Sequence, residues 1–182
     1  MKLDGLSVEG GHKLEATWYD AIDPKVLSRA LSSLQVDYAR YVFVDLGSGK
    51  GRAVFIASGY PFRRVIGVEF AKELHNAALK NSNSWRGRKK CGSVEFVFGD
   101  ALDFEFPSDP CVLHLYNPFG EGMLRRVLQK LQHSIDTQPR DVIIVYSNPR
   151  HDKVLLSVPN VQAISKSPYH VAYRLKPSFL SY

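Results

Sequence analysis

The stretch Val42-Phe43-Val44-Asp45-Leu46-Gly47-Ser48-Gly49-Lys50-Gly51-Arg52 constrains this chain more than any other. Its apolar, β-branched start ends on an acidic residue, three glycines follow at alternate positions, and Ala53-Val54-Phe55-Ile56-Ala57 then suits a helix. The pattern predicts strand, tight turn and helix. Glycine is needed where backbone turns through positive φ or lies against a bound group with no Cβ between them. The turn therefore reads as a cradle, at a helix N-terminus whose N–H groups point at what it holds.

The rest of the chain repeats the alternation. Asp23-Pro24 pairs an N-cap with the proline favoured at the first helical position, and Val26, Leu27, Ala30, Leu31 and Leu34 recur at helical spacing. Gly59-Tyr60-Pro61 ends the helix after the glycine turn, and Val65 to Glu69 reads as a second buried strand finished by a carboxylate. Leu74, Ala77 and Ala78 stripe the next helix; Val94 to Phe98 is a third strand, followed at once by Gly99-Asp100-Ala101. Cys111 to Tyr116 is a fourth, leaving through Asn117-Pro118-Phe119-Gly120, and Met123, Leu124, Val127, Leu128 and Leu131 make an amphipathic helix. Asp141 to Tyr146 is a fifth, ending in Ser147-Asn148-Pro149. A short helix over His151 to Val158 precedes a hairpin of Val161 to Ser165 and His170 to Leu175. Strands alternating with helices predict an α/β fold. The 182 residues fit one domain, read here as an arm over residues 1–22 and a folded domain over 23–182.

The details of the glycine turn separate two ligand classes. A dinucleotide site needs G-x-G-x-x-G/A, but Arg52 stands at the third position and Gly51 comes one residue early. Asp45, two residues before Gly47, would face a pyrophosphate badly and suits a ligand carrying an ammonium and a sulfonium. The run Asp45, Gly47, Gly49, Gly51 resembles motif I of the class I S-adenosylmethionine (SAM) dependent methyltransferases. Glu69 falls 69 − 51 = 18 positions past Gly51, near the distance of about 20 at which a βαβ unit places an acid on a ribose. Gly99-Asp100-Ala101 resembles the family's motif II, and the chain is most similar to members carrying D-L-G-S-G-K-G-R and N-P-F.

That resemblance implies a seven-stranded, mostly parallel sheet with helices on both faces and a C-terminal antiparallel hairpin, its last strand inserted. It implies SAM as cofactor. Asp45 and the Gly47-Ser48-Gly49 to Gly51 backbone would meet the methionine portion, Glu69 the ribose hydroxyls, and Asp100 with Ala101 the adenine. Tyr116-Asn117-Pro118-Phe119 partly resembles the N-P-P-Y/F motif of amino-methylating enzymes, without its second proline, and makes Asn117, Phe119 and Tyr116 the catalytic candidates. The acceptor expected is a nucleophile such as an amine of a protein or small molecule, with RNA a further class; the alternative is a non-catalytic module binding a nucleotide or partner. His114, inside a strand, reads as structural rather than as a base.

Composition excludes little more. Cys91 and Cys111 are isolated and no H-E-x-x-H occurs, so neither a metal site nor a disulfide is expected. Basic residues exceed acidic ones by 24 − 18 = 6, which permits a polyanionic partner. Arg86, Arg88, Lys89 and Lys90, interleaved only by Trp85, read as a solvated loop, so nucleic acid is not indicated. No apolar run approaches the roughly 20 residues of a membrane span, and Met1 to Gly5 leads into no signal-peptide core, so a cytoplasmic location without membrane contact is expected.

Overall fold

A computed structural model describes residues 22–178. The expected arm over residues 1–21 lies outside the described residues, and Ile22 is only 3% exposed, in an apolar cluster with Leu27, Phe43 and Val54. The strands are β1 Val42–Leu46, β2 Arg64–Glu69, β3 Ser93–Phe98, β4 Cys111–Tyr116, β5 Val142–Ser147, β6 Val161–Lys166 and β7 His170–Leu175. They form one sheet in the order β3-β2-β1-β4-β5-β7-β6, parallel except for β7, which lies antiparallel between β5 and β6. This is the predicted fold class. The helices are α1 Pro24–Ser33, α2 Arg52–Ser58, α3 Lys72–Ser84, α4 Glu121–Thr137 and α5 Asp152–Leu156.

β1, β4 and β5 are buried along nearly their whole length, as central strands of a sheet covered on both faces must be. Side chains alternate between the faces. Val42, Val44 and Leu46 join a cluster with Met123, Leu124, Val127 and Leu131 of α4, while Phe43, Val112 and Ile143 join one with Leu27 and Leu31 of α1 and Val54 of α2. Burying one Leu or Val in this way contributes about 1.5–3 kcal/mol. α1 is capped as its sequence predicts, Asp23 Oδ1 accepting from the Lys25 N–H at 2.8 Å. On β2, a Cβ at Gly67 would lie 2.7 Å from Val54 Cγ2 and 2.9 Å from Ser48 Cβ. The missing side chain is what lets α2 and the glycine turn close down on the sheet.

Candidate active site

The turn after β1 runs through positive φ at each of its glycines: 77° at Gly47, 55° at Gly49 and 88° at Gly51. Its N–H groups, however, do not stand free. Those of Gly47 and Ser48 both donate to the Val68 carbonyl, at 2.9 and 3.0 Å; that of Gly49 donates to Glu69 Oε2 at 2.7 Å, and that of Gly51 to the Ser48 carbonyl at 2.9 Å. Buried donors need partners, and β2, paired in parallel with Leu46 opposite Val68, supplies them. The turn is thus shaped before anything binds.

A cleft of about 330 Å³ opens at the carboxyl ends of β1 to β4, lined by Gly47, Phe70, Gly99, Asp100, Ala101 and Phe119 among others. It gathers residues from the ends of β1, β3 and β4 that the sequence marked separately. At Gly99 a Cβ would meet nothing within 4 Å, so the wall is open there. Asp100 Oδ1 accepts from the Leu102 N–H at 2.8 Å, which fixes the carboxylate in the wall. Gly51 is not a wall residue: a Cβ there would press on Phe96 and Phe55 at 2.9–3.0 Å, so this glycine serves packing.

Asp45 and Glu69 are buried and are not part of that lining. Glu69, 3% exposed, takes the Gly49 N–H on Oε2 and the Ala71 N–H on Oε1, at 2.7 and 2.8 Å. Burial pushes its pKa up to about 7; the N–H bonds from Ala71 and Gly49 pull the other way, and the charge of Asp45 adds to the rise. Ser48 is buried too, and its Oγ has no hydrogen-bond partner.

The structure adds two residues that the sequence did not place in the site. Asp45 Oδ1 accepts from His114 Nδ1 at 2.7 Å, which leaves His114 Nε2 to the Ser147 hydroxyl at 3.1 Å. All three side chains are buried, and the Phe43 ring stacks on the imidazole at 6.0 Å. The signal lay in register rather than in spacing along the chain: β1 and β4 place Asp45 directly opposite His114. Opposite Ser147 stands His170 of β7, whose pKa is pushed down by burial and by His114.

At the ends of β4 and β5 the chain turns twice in the same way. Asn117 (φ 45°) and Asn148 (φ 49°) each adopt a left-handed conformation before a proline, and asparagine tolerates that region better than most residues. Asn117, buried, accepts from the Tyr146 hydroxyl at 3.1 Å through Oδ1, and the Asn148 N–H donates to the Tyr169 carbonyl at 2.9 Å. The three catalytic candidates therefore diverge: Phe119 lines the cleft, Asn117 is buried against Tyr146, and Tyr116 lines a separate groove of about 1170 Å³ with Lys25, Arg29, Asn148 and Tyr169. Among the described residues no cluster of metal-ligating side chains occurs, and no helix is long and apolar enough to cross a membrane.

No protein-family model and no curated protein matches the sequence. The fold is nevertheless widely shared. An RNA methyltransferase from Salinibacter ruber, in complex with S-adenosyl-L-homocysteine, superposes with a TM-score of 0.57 at 23% identity, over 88% of this chain and 96% of its own. The PH0226 protein from Pyrococcus horikoshii OT3 does so with a TM-score of 0.60 at 16% identity, over 84% and 88%. A methyltransferase-like protein from Silicibacter pomeroyi gives 0.57 at 14%, over 85% and 84%. At such identities the likeness is one of fold.

Proposed function

We propose that this chain binds S-adenosylmethionine at the glycine turn and transfers its methyl group to an amine presented at the end of β4. The observation that carries this reading is the set of three carboxylates, Asp45, Glu69 and Asp100, one at or near the carboxyl end of each of three adjacent parallel strands around one glycine turn. The donor set fits the group. No Lys or Arg lines the cleft, so a ligand bearing ammonium, sulfonium and hydroxyls is favoured over a pyrophosphate. The open wall at Gly99 leaves room for a flat ring against main chain. The fold likeness to a methyltransferase crystallised with S-adenosylhomocysteine supports the same assignment.

When bound, SAM supplies an electrophilic methyl on sulfur. Bound there, SAM would give up this methyl to an amine nitrogen and leave as the neutral thioether, and the amine's proton would pass to water. Residues of the chain act around that step. Asp45 offers Oδ2 to the ammonium while His114 holds Oδ1 and fixes the carboxylate plane. Glu69 and Asp100 orient ribose and adenine. Phe119 and Met123 keep the cleft dry. Asn117 Oδ1, held by Tyr146, accepts from the incoming amine and aims its lone pair, at the roughly 3 to 3.5 Å that in-line attack requires. Calorimetry with S-adenosylhomocysteine and with NAD tests the reading: micromolar binding of the first and much weaker binding of the second is expected. NAD binding without S-adenosylhomocysteine binding would overturn it.

A further inference from the structure

We propose that single-stranded nucleic acid binds along a cationic track that starts in the groove beside Tyr116, passes Arg52 and ends at the loop after Trp85. The track leads to the end of β4, so with the methyltransferase reading it names the acceptor class, a nucleobase nitrogen; the binding itself does not depend on that reading.

The first groove is walled by two aromatic residues, half-buried Tyr116 and Tyr169, which is 61% exposed, and by Lys25 and Arg29 of α1. Among the described residues its single lining carboxylate, Asp23, is already engaged by the Lys25 N–H. A second groove of about 1100 Å³ is lined by Lys50, Arg52, Phe55 and Trp85, the indole stacked on Phe55 at 5.4 Å with 22° between planes. Arg52 joins the two. It lines the second groove and donates from Nη1 to the carbonyl of Ile22 at 3.4 Å, and Ile22 lines the first. Beyond Trp85 come Arg86, Arg88, Lys89 and Lys90, all exposed. By sequence alone those four are a solvated loop; the fold adds Lys25, Arg29 and Arg52 to them.

The pattern of ion pairs points the same way. Arg63 and Arg64 pair with Asp109, Arg125 with Glu121, Lys130 with Glu105, and Arg174 with Asp141. Among the described residues, no carboxylate pairs with Lys25, Arg29, Arg52, Arg86, Arg88, Lys89 or Lys90. Lys25, Arg29 and Arg52 line the two aromatic-walled grooves, and the other four follow Trp85 along the chain. Spaced cations that follow a phosphate backbone, with aromatic rings for unpaired bases, are what single strands require. A duplex hides its bases and would have to extrude one to reach Asn117. An acidic peptide would meet the cations but leave the rings without planar partners.

Fluorescence anisotropy of the full chain tests this, with a labelled 20-nucleotide RNA, the same DNA sequence, its duplex and a polyglutamate peptide, across a salt series. Single strands should bind, with log K falling against log salt at a slope of about −3 or steeper, corresponding to four or more phosphates at about 0.7 each. Lys25→Ala with Arg29→Ala, and separately the four-alanine variant of the Trp85 loop, should each weaken binding about tenfold or more. Both should keep their S-adenosylhomocysteine affinity, and Arg125→Ala should change nothing. Whichever of RNA and DNA binds more tightly names the source. Absence of single-strand binding, loss confined to one groove's variant, or equal affinity for polyglutamate would overturn the proposal. S-adenosylhomocysteine binding without oligonucleotide binding removes only the track, and the converse removes only methyl transfer.

Discussion

The ends of β1 to β3 and the ends of β4 and β5 leave the same edge of one sheet, yet they are built differently. On the β1 to β3 side the turn after β1 is formed by glycines at positive φ, and the strand-end carboxylates of Glu69 and Asp100 are captured by backbone N–H groups. On the β4 and β5 side the turns are left-handed asparagines before prolines, steadied by a tyrosine hydroxyl and a loop carbonyl, and they border a groove several times larger than the cleft. On the first side main chain and carboxylates hold each other; the second is specified by asparagine corners, one buried against Tyr146 and one lining the groove. Damage to the first should appear as lost cofactor affinity, and damage to the second as lost turnover.

The largest effect should come from Gly49→Val. A branched side chain at φ 55° costs about 1–2 kcal/mol in backbone energy, and disturbing the hydrogen bond from Gly49 to the Glu69 carboxylate costs on the order of 1.5–3 more. S-adenosylhomocysteine affinity should fall by more than about a hundredfold while circular dichroism still shows a folded α/β protein. A folded variant that keeps its affinity would show that this turn is not the cradle.

The opposite side is probed by Asn117. Asn117→Ala should lower single-turnover transfer by on the order of a hundredfold, near 2.7 kcal/mol of transition-state stabilisation, and leave cofactor affinity within a few-fold. Alanine also suffers at φ 45° and takes from the Tyr146 hydroxyl the acceptor of its proton, so its melting temperature should fall as well. Asn117→Gly separates the two causes, since glycine adopts the corner freely but offers no amide. If Asn117 orients the acceptor, glycine restores stability and not turnover. Recovery of turnover with glycine would reduce Asn117 to a corner residue.

The contrast also explains what was legible beforehand. β1, β4 and β7 begin and end where the sequence places them, because continuous apolar runs are bounded by glycine, proline and asparagine. Gly47, Asp100, Ala101 and Phe119 converge on one cleft, because parallel strands deliver their carboxyl ends to one edge. The chain from Asp45 through His114 to Ser147 was hidden: its members are 69 and 33 residues apart, and only strand register brings them together. The fate of the Gly47, Ser48 and Gly49 N–H groups was hidden for the same reason, since their acceptors belong to β2. The contact of Arg52 with the Ile22 carbonyl, which links the two grooves, was hidden as well, since its members lie 30 residues apart.

The smallest fold-change, and the one that best sharpens the contrast, is the pH dependence of cofactor affinity that Glu69 gives the first side. Its folded pKa of about 7 lies above the ordinary 4.5, so between those values the native protein holds a proton that the unfolded chain has released. The favourable contribution of this group is therefore complete below about pH 4.5 and is lost as pH rises to about 7, on the order of 3 kcal/mol of unfolding free energy over that window. Ribose hydroxyls donating to the carboxylate would favour its ionised form, so the cofactor linkage runs the other way. S-adenosylhomocysteine affinity should strengthen roughly tenfold from pH 6 to pH 7 and level off above it, while Glu69→Gln should show neither slope. Urea melts of the free protein and calorimetric titrations in matched buffers measure the two slopes on the same samples. Asn117→Gly should keep both, since no titrating carboxylate accompanies the amide that it removes. An affinity slope that survives in Glu69→Gln would move the ionising group elsewhere, with Asp45 the next carboxylate to test.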